Sequence, residues 1–221
     1  MSVRVEGSFQ AATQQGQAGA LVPLLPLKAD KTLVGLGVLS SLRGEVTLFN
    51  GQAFLSVPSQ DGAFSTEELA AHQDSAAFMV LASVNEWQTV ALPQNTGLDE
   101  LPSALEKLAE GAGLDVEQPI PFMIEGSVGN LTLSVTNGSA FVGDREIPEE
   151  AMKAASRKVT RATCQGTGVG FFSKRERPEF LANDTHVHLH FVEQTGALAG
   201  HVEHIDLPSG TSFRLPTAHS R

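Results

Sequence analysis

Residues 186–201 read HVHLHFVEQTGALAGH and contain four of the seven histidines of the chain. Alternation along an extended strand places His186, His188 and His190 on one face and the intervening apolar side chains on the other. The polar, glycine-containing stretch after this run is typical of a tight turn, and a second apolar run follows. The segment therefore predicts a β-hairpin with one core-facing side and one side lined with imidazole nitrogens.

The register of this hairpin determines which side chains meet. If residues 195 and 196 form the turn, antiparallel pairing sets His190 opposite His201 and His188 opposite Glu203. Zinc binds neutral imidazole at about 2.0–2.1 Å, and catalytic sites keep three protein ligands and an open position. We therefore predict His188, His190 and His201 as metal ligands, with His186 as a fourth ligand, an outer group or a solvated residue.

Composition limits the class of protein and its partners. The 221 residues are 41% hydrophobic, enough for one large or two small domains, and carry a formal charge of −10. This acidic balance makes nucleic acid and anionic membrane surfaces poor partners, whereas a small anionic substrate needs only a local cation. The single Cys164 excludes an intramolecular disulfide. With no signal peptide and no run of about 20 apolar residues, we expect a cytoplasmic protein with no membrane association.

The remaining sequence predicts short strands and few helices. Asn50-Gly51, between two apolar runs, predicts a tight hairpin, and Asn137-Gly138 predicts a second. Helical spacing or capping patterns occur over residues 65–73, 98–113 and 149–159.

Together these elements predict an α/β protein of the α+β type, with a few surface helices on mostly antiparallel or mixed β-sheet. A seam rich in glycine and proline, near residues 111–121, divides the chain into two halves. We assign a mixed β-sheet half to residues 1–116 and a β-barrel-like half, which carries the metal hairpin, to residues 117–221.

The histidine motifs resemble those of the alpha-acetolactate decarboxylase family, in which a strand HLHF is followed after a short turn by GGHV. Here residues 188–191 read HLHF and residues 199–202 read AGHV. Weaker similarities follow in the same order as in the family, over residues 35–205. They are GLGVL at 35–39, Gly44-Glu45, NGQAF at 50–54, DREIP at 144–148 and GTGVGF at 166–171.

The resemblance implies a zinc-dependent decarboxylation of 2-acetolactate, or of a close 2-hydroxy-3-oxo acid, to acetoin and carbon dioxide. In the family the three histidines hold the zinc, which stabilises an enediolate as a Lewis acid. By resemblance, Glu45 takes the place of an acidic residue beside the zinc and is our candidate proton donor. Arg145 takes the place of the arginine that grips the substrate carboxylate. The resemblance also implies a homodimer.

Departures from the family pattern keep two alternatives open. Val38 stands where the family usually has a threonine near the substrate, and residues 149–159 replace a stretch rich in tyrosine and proline. The family's late glutamate has no evident counterpart, although Glu203 is a local candidate. The first alternative is a catalytically degenerate zinc-binding relative that binds a metabolite or uses the metal for stability. The second is a cupin-like metal barrel, although Glu193 follows His190 more closely than in that superfamily.

Overall fold

The computed structural model describes residues 2–59, 62–69, 74–143, 146–182 and 185–218. Within these ranges the chain forms two seven-stranded sheets. The first sheet and its helix comprise β1 (Val3–Glu6), α1 (Phe9–Gln15), β2 (Val22–Pro23), β3 (Leu33–Leu39), β4 (Glu45–Phe49), β5 (Gln52–Pro58), β6 (Phe64–Glu68) and β7 (Ser75–Ser83). The second group comprises β8 (Trp87–Ala91), β9 (Thr96–Gly97), α2 (Leu101–Gly111), β10 (Ile120–Thr136), α3 (Glu149–Ala154), β11 (Ser156–Phe172), β12 (Val187–Glu193), β13 (Ala199–Leu207) and β14 (Ser212–Pro216). Four short 3-10 helices occur at Leu25–Ala29, Ser40–Leu42, Leu98–Glu100 and Ser139–Phe141.

The first sheet is antiparallel, in the order β1-β7-β3-β4-β5-β6, with β2 also paired to β7. Asn50 and Gly51 join β4 to β5 with φ angles of 52° and 76°. Positive φ at both turn residues is the geometry that the Asn-Gly pair favours, so the predicted hairpin is confirmed.

The second sheet curls into a ring. Its order is β8-β14-β10-β11-β12-β13-β9, and β13 also pairs back onto the second half of β10. Helix α2 packs its apolar stripe of Leu101, Leu105 and Ala109 against the interior of this ring. Leu189 and Phe191, on the apolar face of β12, belong to the same core, as the alternation predicted.

A second core lies between the two sheets and includes the face of β12 that carries the histidines. It joins residues of the first sheet, such as Leu36 and Phe78, to Val169, Phe171 and Val192 of the second. Val192 lies on the face of β12 that carries the histidines, because side chains alternate along a strand. The histidine face is therefore enclosed between the sheets and is not the exposed side of a hairpin.

The mostly antiparallel architecture with few helices confirms the predicted fold class. The helix predicted over 98–113 is confirmed as a 3-10 turn followed by α2. β8 and β9 hydrogen-bond to the second sheet, and the division between residues 1–116 and 117–221 remains a prediction. No helix in the described part of the chain has the length and apolarity that crossing a lipid bilayer requires.

Three local predictions were wrong in whole or in part. The helix predicted over residues 65–73 is a strand in its first four residues, because residues 65–68 belong to β6 and pair with the edge of β5. Residues 70–73 lie outside the described ranges. Asn137-Gly138 is no hairpin turn, since Gly138 has a φ of −91° and the chain continues through a 3-10 helix and α3. The helix predicted over 149–159 ends at Ala154, because pairing of β11 with β10 takes over at Ser156.

Gly170 provides a test of the packing inside the ring. It lies opposite Phe122, and a Cβ there would come within 2.3 Å of the Phe122 ring carbon Cζ. Because this ring is fully buried, Gly170→Ala should lower the free energy of unfolding by about 1–3 kcal/mol, measured by urea denaturation. Gly111→Ala is the control: with open space around it at the end of α2, it should be neutral or stabilising by up to about 1 kcal/mol. Equal effects of the two substitutions would contradict this packing.

Candidate metal centre

The three predicted ligand histidines lie together. His190 on β12 is directly opposite His201 on β13, as predicted, and His188 shares the face of His190. One nitrogen from each ring lies within 4.8 Å of the other two. The ring centroids are 5.1, 5.3 and 5.7 Å apart. Three imidazoles arranged in this way can hold a metal ion.

The Nδ1 atoms of His188 and His190, the two buried rings, lie at hydrogen-bond distance from protein groups. The Nδ1 of His188 lies 2.8 Å from the backbone carbonyl oxygen of Phe180. A carbonyl only accepts, so this Nδ1 carries the hydrogen and the Nε2 lone pair of His188 is free. The Nδ1 of His190 lies 2.9 Å from the Thr47 hydroxyl oxygen.

The Nε2 of His190 is buried and has no hydrogen-bond partner among the residues that the structure describes. Buried polar atoms without a partner are rare and costly, and such an atom calls for an explanation. Here it lies within a cluster of three imidazoles, where a metal ion would satisfy it. The residues present therefore fit a bound metal.

Burial keeps these imidazoles neutral, which is the form that binds metals. Desolvation, followed by the proximity of His201, lowers the pKa of His188 to about 3. The pKa of His190 is also lowered well below its ordinary value, by burial first and then by the other two rings. Burial also lowers the pKa of His201, although the Glu203 carboxylate opposes this. The site is therefore ready to bind a cation without first losing protons.

Glu45 lies at the start of β4, with its Oε2 atom 3.9 Å from the unpartnered Nε2 of His190. Its side chain is only 13% exposed, and burial raises its pKa to about 8. A hydrogen bond from the backbone of Thr136 opposes this shift, and the charge of Glu203 adds to it. Val38 of β3 is opposite Glu45 in the register and is buried. Glu45 therefore holds its proton at neutral pH, beside the metal-binding nitrogens.

Arg145, the predicted carboxylate-binding residue, lies outside the described residues, and its role remains a prediction. The chain on either side of it is held at the C-terminal end of α1. The N–H of Gly143 donates to the carbonyl of Gly16 over 3.0 Å, and the N–H of Ile147 donates to that of Gln14 over 2.7 Å. At its other end, α1 covers the site.

The covering contact is made by Phe9, the first residue of α1. Its ring meets that of His188 edge-to-face, with the ring centroids 5.3 Å apart. An edge-to-face contact of this kind excludes water from one side of the imidazole. Helix α1 therefore connects the metal-binding face of β12 with the segment that leads to Arg145.

Two other predicted candidates, His186 and Glu203, are not part of the group of three clustered rings. His186 has its Nδ1 atom 3.0 Å from a backbone carbonyl oxygen and is not among the three clustered rings. Glu203 is not paired with His188, because the β12–β13 ladder ends at His201 and β13 then pairs with β10. Glu203 instead accepts from the Ser134 hydroxyl at 2.7 Å and pairs with Lys158 at 3.1 Å.

The sequence analysis missed Thr47, although a usable signal was present. Thr47 lies two residues after Glu45 on one strand, so alternation puts both side chains on the face that meets β12. The carbonyl of Phe180 gave no such signal, since a backbone group has no residue-type signature.

A cavity of about 610 Å³ opens between the sheets near the β12–β13 turn, and the three histidines are not part of its lining. Its walls include Phe54, Thr66, Glu125 and Val192. Val192 is the next residue after His190 on the same face of β12, so the cavity lies beside the metal-binding cluster. We place the chemistry among the imidazoles because the unpartnered nitrogen is there.

Comparison with known proteins identifies both a family and a fold. A model of the alpha-acetolactate decarboxylase family matches residues 8–219. A search of curated protein sequences gives no significant match. The fold is similar to that of alpha-acetolactate decarboxylase from Bacillus subtilis strain 168, with a TM-score of 0.74 and 15% identity, over 99% of this chain and 86% of that one.

A Staphylococcus aureus protein, described as of unknown function and similar to alpha-acetolactate decarboxylase, has a TM-score of 0.75 at 15% identity, over 99% of this chain and 87% of that one. Acetolactate decarboxylase from Bacillus subtilis subspecies spizizenii has a TM-score of 0.72 at 15% identity, over 99% and 87%. At this identity the solved structures establish the fold alone, whereas the match to the family model covers nearly the whole chain.

The histidine cluster predicts which substitutions abolish metal binding. His201→Ala should remove tight binding of a divalent ion, because two imidazoles are too few for a stable site. Metal content after dialysis, measured by elemental mass spectrometry, should fall from about one ion per chain to near zero. His204→Ala is the control, since its exposed side chain on the same strand is not among the clustered rings. Full metal content in the His201 variant would rule out this ligand set.

Proposed function

This chain belongs to the alpha-acetolactate decarboxylase family, and we propose that it decarboxylates 2-acetolactate, or a close 2-hydroxy-3-oxo acid, to acetoin and carbon dioxide. We propose zinc as the metal, held by His188, His190 and His201. The observation that supports this most directly is the buried, unpartnered Nε2 of His190, which lies among neutral imidazoles and beside a carboxyl group. Because the family model matches residues 8–219, we no longer consider the cupin-like alternative.

Decarboxylation of such an acid makes two demands on the protein. Loss of carbon dioxide leaves an electron pair on carbon, which must delocalise into the neighbouring carbonyl, and a proton must then reach that carbon. A bound zinc ion would supply Lewis-acid stabilisation of the developing negative charge, worth several kcal/mol. The remaining tasks of holding the carboxylate, keeping water out and delivering the proton fall to side chains of this chain.

Glu45 is the proposed proton donor. In the metal-free site, burial raises the pKa of its carboxyl group to about 8, which favours the protonated form that a general acid requires, whereas a bound cation would act in the opposite direction. Its Oε2 atom is 3.9 Å from the His190 nitrogen, so the proton is held next to the metal-binding nitrogens. The buried Val38 beside it keeps the surroundings apolar and maintains the high pKa.

Arg145 is the proposed carboxylate-binding residue. The substrate is an anion and the chain carries a formal charge of −10, so binding requires a local cation. A guanidinium group matches both oxygens of a carboxylate. The family resemblance supports this assignment, as does the attachment of Gly143 and Ile147 to the helix that covers His188.

A second candidate function is that of a zinc-binding relative that binds a small metabolite without turning it over. Val38 favours it, because it places an apolar side chain opposite Glu45 where the family usually has a threonine near the substrate. The two candidates differ in one observable: a zinc-loaded protein that binds an acetolactate analogue but releases no carbon dioxide belongs to the second.

The role of Glu45 can be tested by replacing its carboxyl group with an amide. Glu45→Gln should lower kcat for acetoin formation from 2-acetolactate by at least about 100-fold, because general acid catalysis is lost. Its zinc content should stay at the wild-type level, since the carboxyl group is not one of the three ligands. Glu193→Gln, a carboxylate at the end of β12 outside the cluster, should keep wild-type kcat. A wild-type kcat in the Glu45 variant would remove it from the mechanism.

Arg145→Gln tests the proposed grip on the substrate. Loss of a charge-assisted, two-point hydrogen bond costs about 1.5–3 kcal/mol, so KM for 2-acetolactate should rise roughly 10- to 100-fold. Steady-state kinetics of the zinc-loaded variant measure this change. Arg161→Gln, which removes an exposed guanidinium from β11, should leave KM unchanged. If both variants keep the wild-type KM, another cation binds the carboxylate.

A further inference from the structure

We propose that Thr47 is a positioning residue for the metal centre, and that its hydroxyl oxygen accepts the Nδ1–H of His190 when a metal occupies Nε2. This inference rests on the proposed zinc site and extends it from the ligand-bearing hairpin to the opposite sheet. Thr47 neither binds the metal nor touches the substrate in this role, which is to hold one ligand in its metal-binding tautomer.

The surroundings of Thr47 leave its hydroxyl with a single evident task. Thr47 is 2% exposed, and in the strand register it lies between Leu36 of β3 and Phe54 of β5. Both neighbours are buried and apolar, so neither can pair with a hydroxyl group. The hydroxyl forms a hydrogen bond across the sheet interface with the Nδ1 of His190, at 2.9 Å. A hydroxyl buried among apolar groups is costly unless it is bonded in this way.

The chemistry of imidazole then fixes the direction of the bond. A neutral imidazole has one N–H and one lone pair, so a metal on Nε2 forces the hydrogen onto Nδ1. His190 is fully buried, and its Nδ1–H needs an acceptor to avoid an unpaired donor in the metal-bound state. The Thr47 oxygen is at hydrogen-bond distance and can accept. Without this oxygen, the N–H would lose its side-chain acceptor and keep only the backbone of Val46 as a hydrogen-bond partner.

The other buried ligand has the same arrangement with a different acceptor. The Nδ1–H of His188 donates to the carbonyl of Phe180 at 2.8 Å. His201, which is partly exposed, can leave its outer nitrogen to solvent. Each buried ligand thus has an acceptor beside its Nδ1, and those beside His190, the Thr47 hydroxyl and the backbone of Val46, both belong to the first sheet. Acceptors of this kind fix the tautomer and ring orientation of ligand histidines in metalloproteins.

Zinc affinity, measured by competition with a chelating dye, tests the proposal without any catalytic assay. Thr47→Val and Thr47→Ala should weaken zinc binding by about 10- to 100-fold, the usual cost of losing such an acceptor. Thr47→Ser keeps the hydroxyl and should bind zinc within about threefold of wild type. Thr96→Val is the matched control. Thr96 lies on β9 of the second sheet, and its buried hydroxyl donates to the Gln94 carbonyl, so the substitution removes a buried hydroxyl away from the histidines. It should leave zinc affinity unchanged.

A spectroscopic readout separates positioning from simple stability. In the zinc-loaded wild type, nitrogen NMR of the imidazoles should show His190 protonated at Nδ1, with the downfield proton shift of a hydrogen-bonded N–H. Thr47→Ser should keep that shift and Thr47→Ala should lose it. If the valine variant does not fold, the serine and alanine pair decides the question by the same comparison.

The proposal is overturned if the alanine or valine variant binds zinc as tightly as wild type, or if the serine variant loses as much affinity as alanine. These results are separable from the fate of the proposed function. A wild-type protein that binds zinc but forms no acetoin removes the decarboxylase assignment and leaves the role of Thr47 in place. If the Thr47 variants bind zinc as tightly as wild type and wild type forms acetoin, the role of Thr47 is overturned and the decarboxylase assignment stays. A wild-type protein that binds no zinc overturns both.

Discussion

The enclosure of the histidine face of β12 between two sheets is the constraint on which the rest of the site depends. Polar atoms buried in an apolar interface must find partners, and here the partners come from several parts of the chain. A hydroxyl on β4 and a carbonyl before β12 occupy the outer nitrogens of His190 and His188. Among the residues that the structure describes, the buried Nε2 of His190 is left without a partner, in a cluster of three rings. The candidate metal site is thus the place where this interface leaves a histidine nitrogen without a protein partner.

The parts of this arrangement that the sequence could predict are those set by neighbours along the chain. Alternation places His188 and His190 on one face, and a short turn sets His201 opposite His190. Asn50-Gly51 predicted a hairpin correctly for the same reason, because β4 and β5 follow each other directly in the chain. Local periodicity and turn chemistry are sufficient where no distant segment intervenes.

The parts that could not be predicted depend on which strands meet across the fold. Thr47 and His190 are 143 residues apart, and alternation puts Thr47 on the face of Glu45 without indicating which ring its hydroxyl contacts. Residues 65–68 have a helix-start pattern but complete the edge of β5, so tertiary pairing overrides the local preference. Glu203 failed for a related reason: β13 leaves β12 just after His201 to pair with β10, and this switch of partner has no local signal.

Burial also bears on how an acidic protein could bind the anionic substrate that we propose. The same loss of water lowers the pKa of a histidine and raises that of a glutamate, so His188, His190 and Glu45 all become neutral at pH 7. The negative charge that acts on this cluster comes from Glu203, which is paired with Lys158, although the chain as a whole carries −10. A divalent cation bound there would be the dominant local charge, weakly screened in an apolar surrounding. Under the proposed function, such a cation and the proposed Arg145 would together attract the substrate carboxylate, and desolvation would strengthen both interactions.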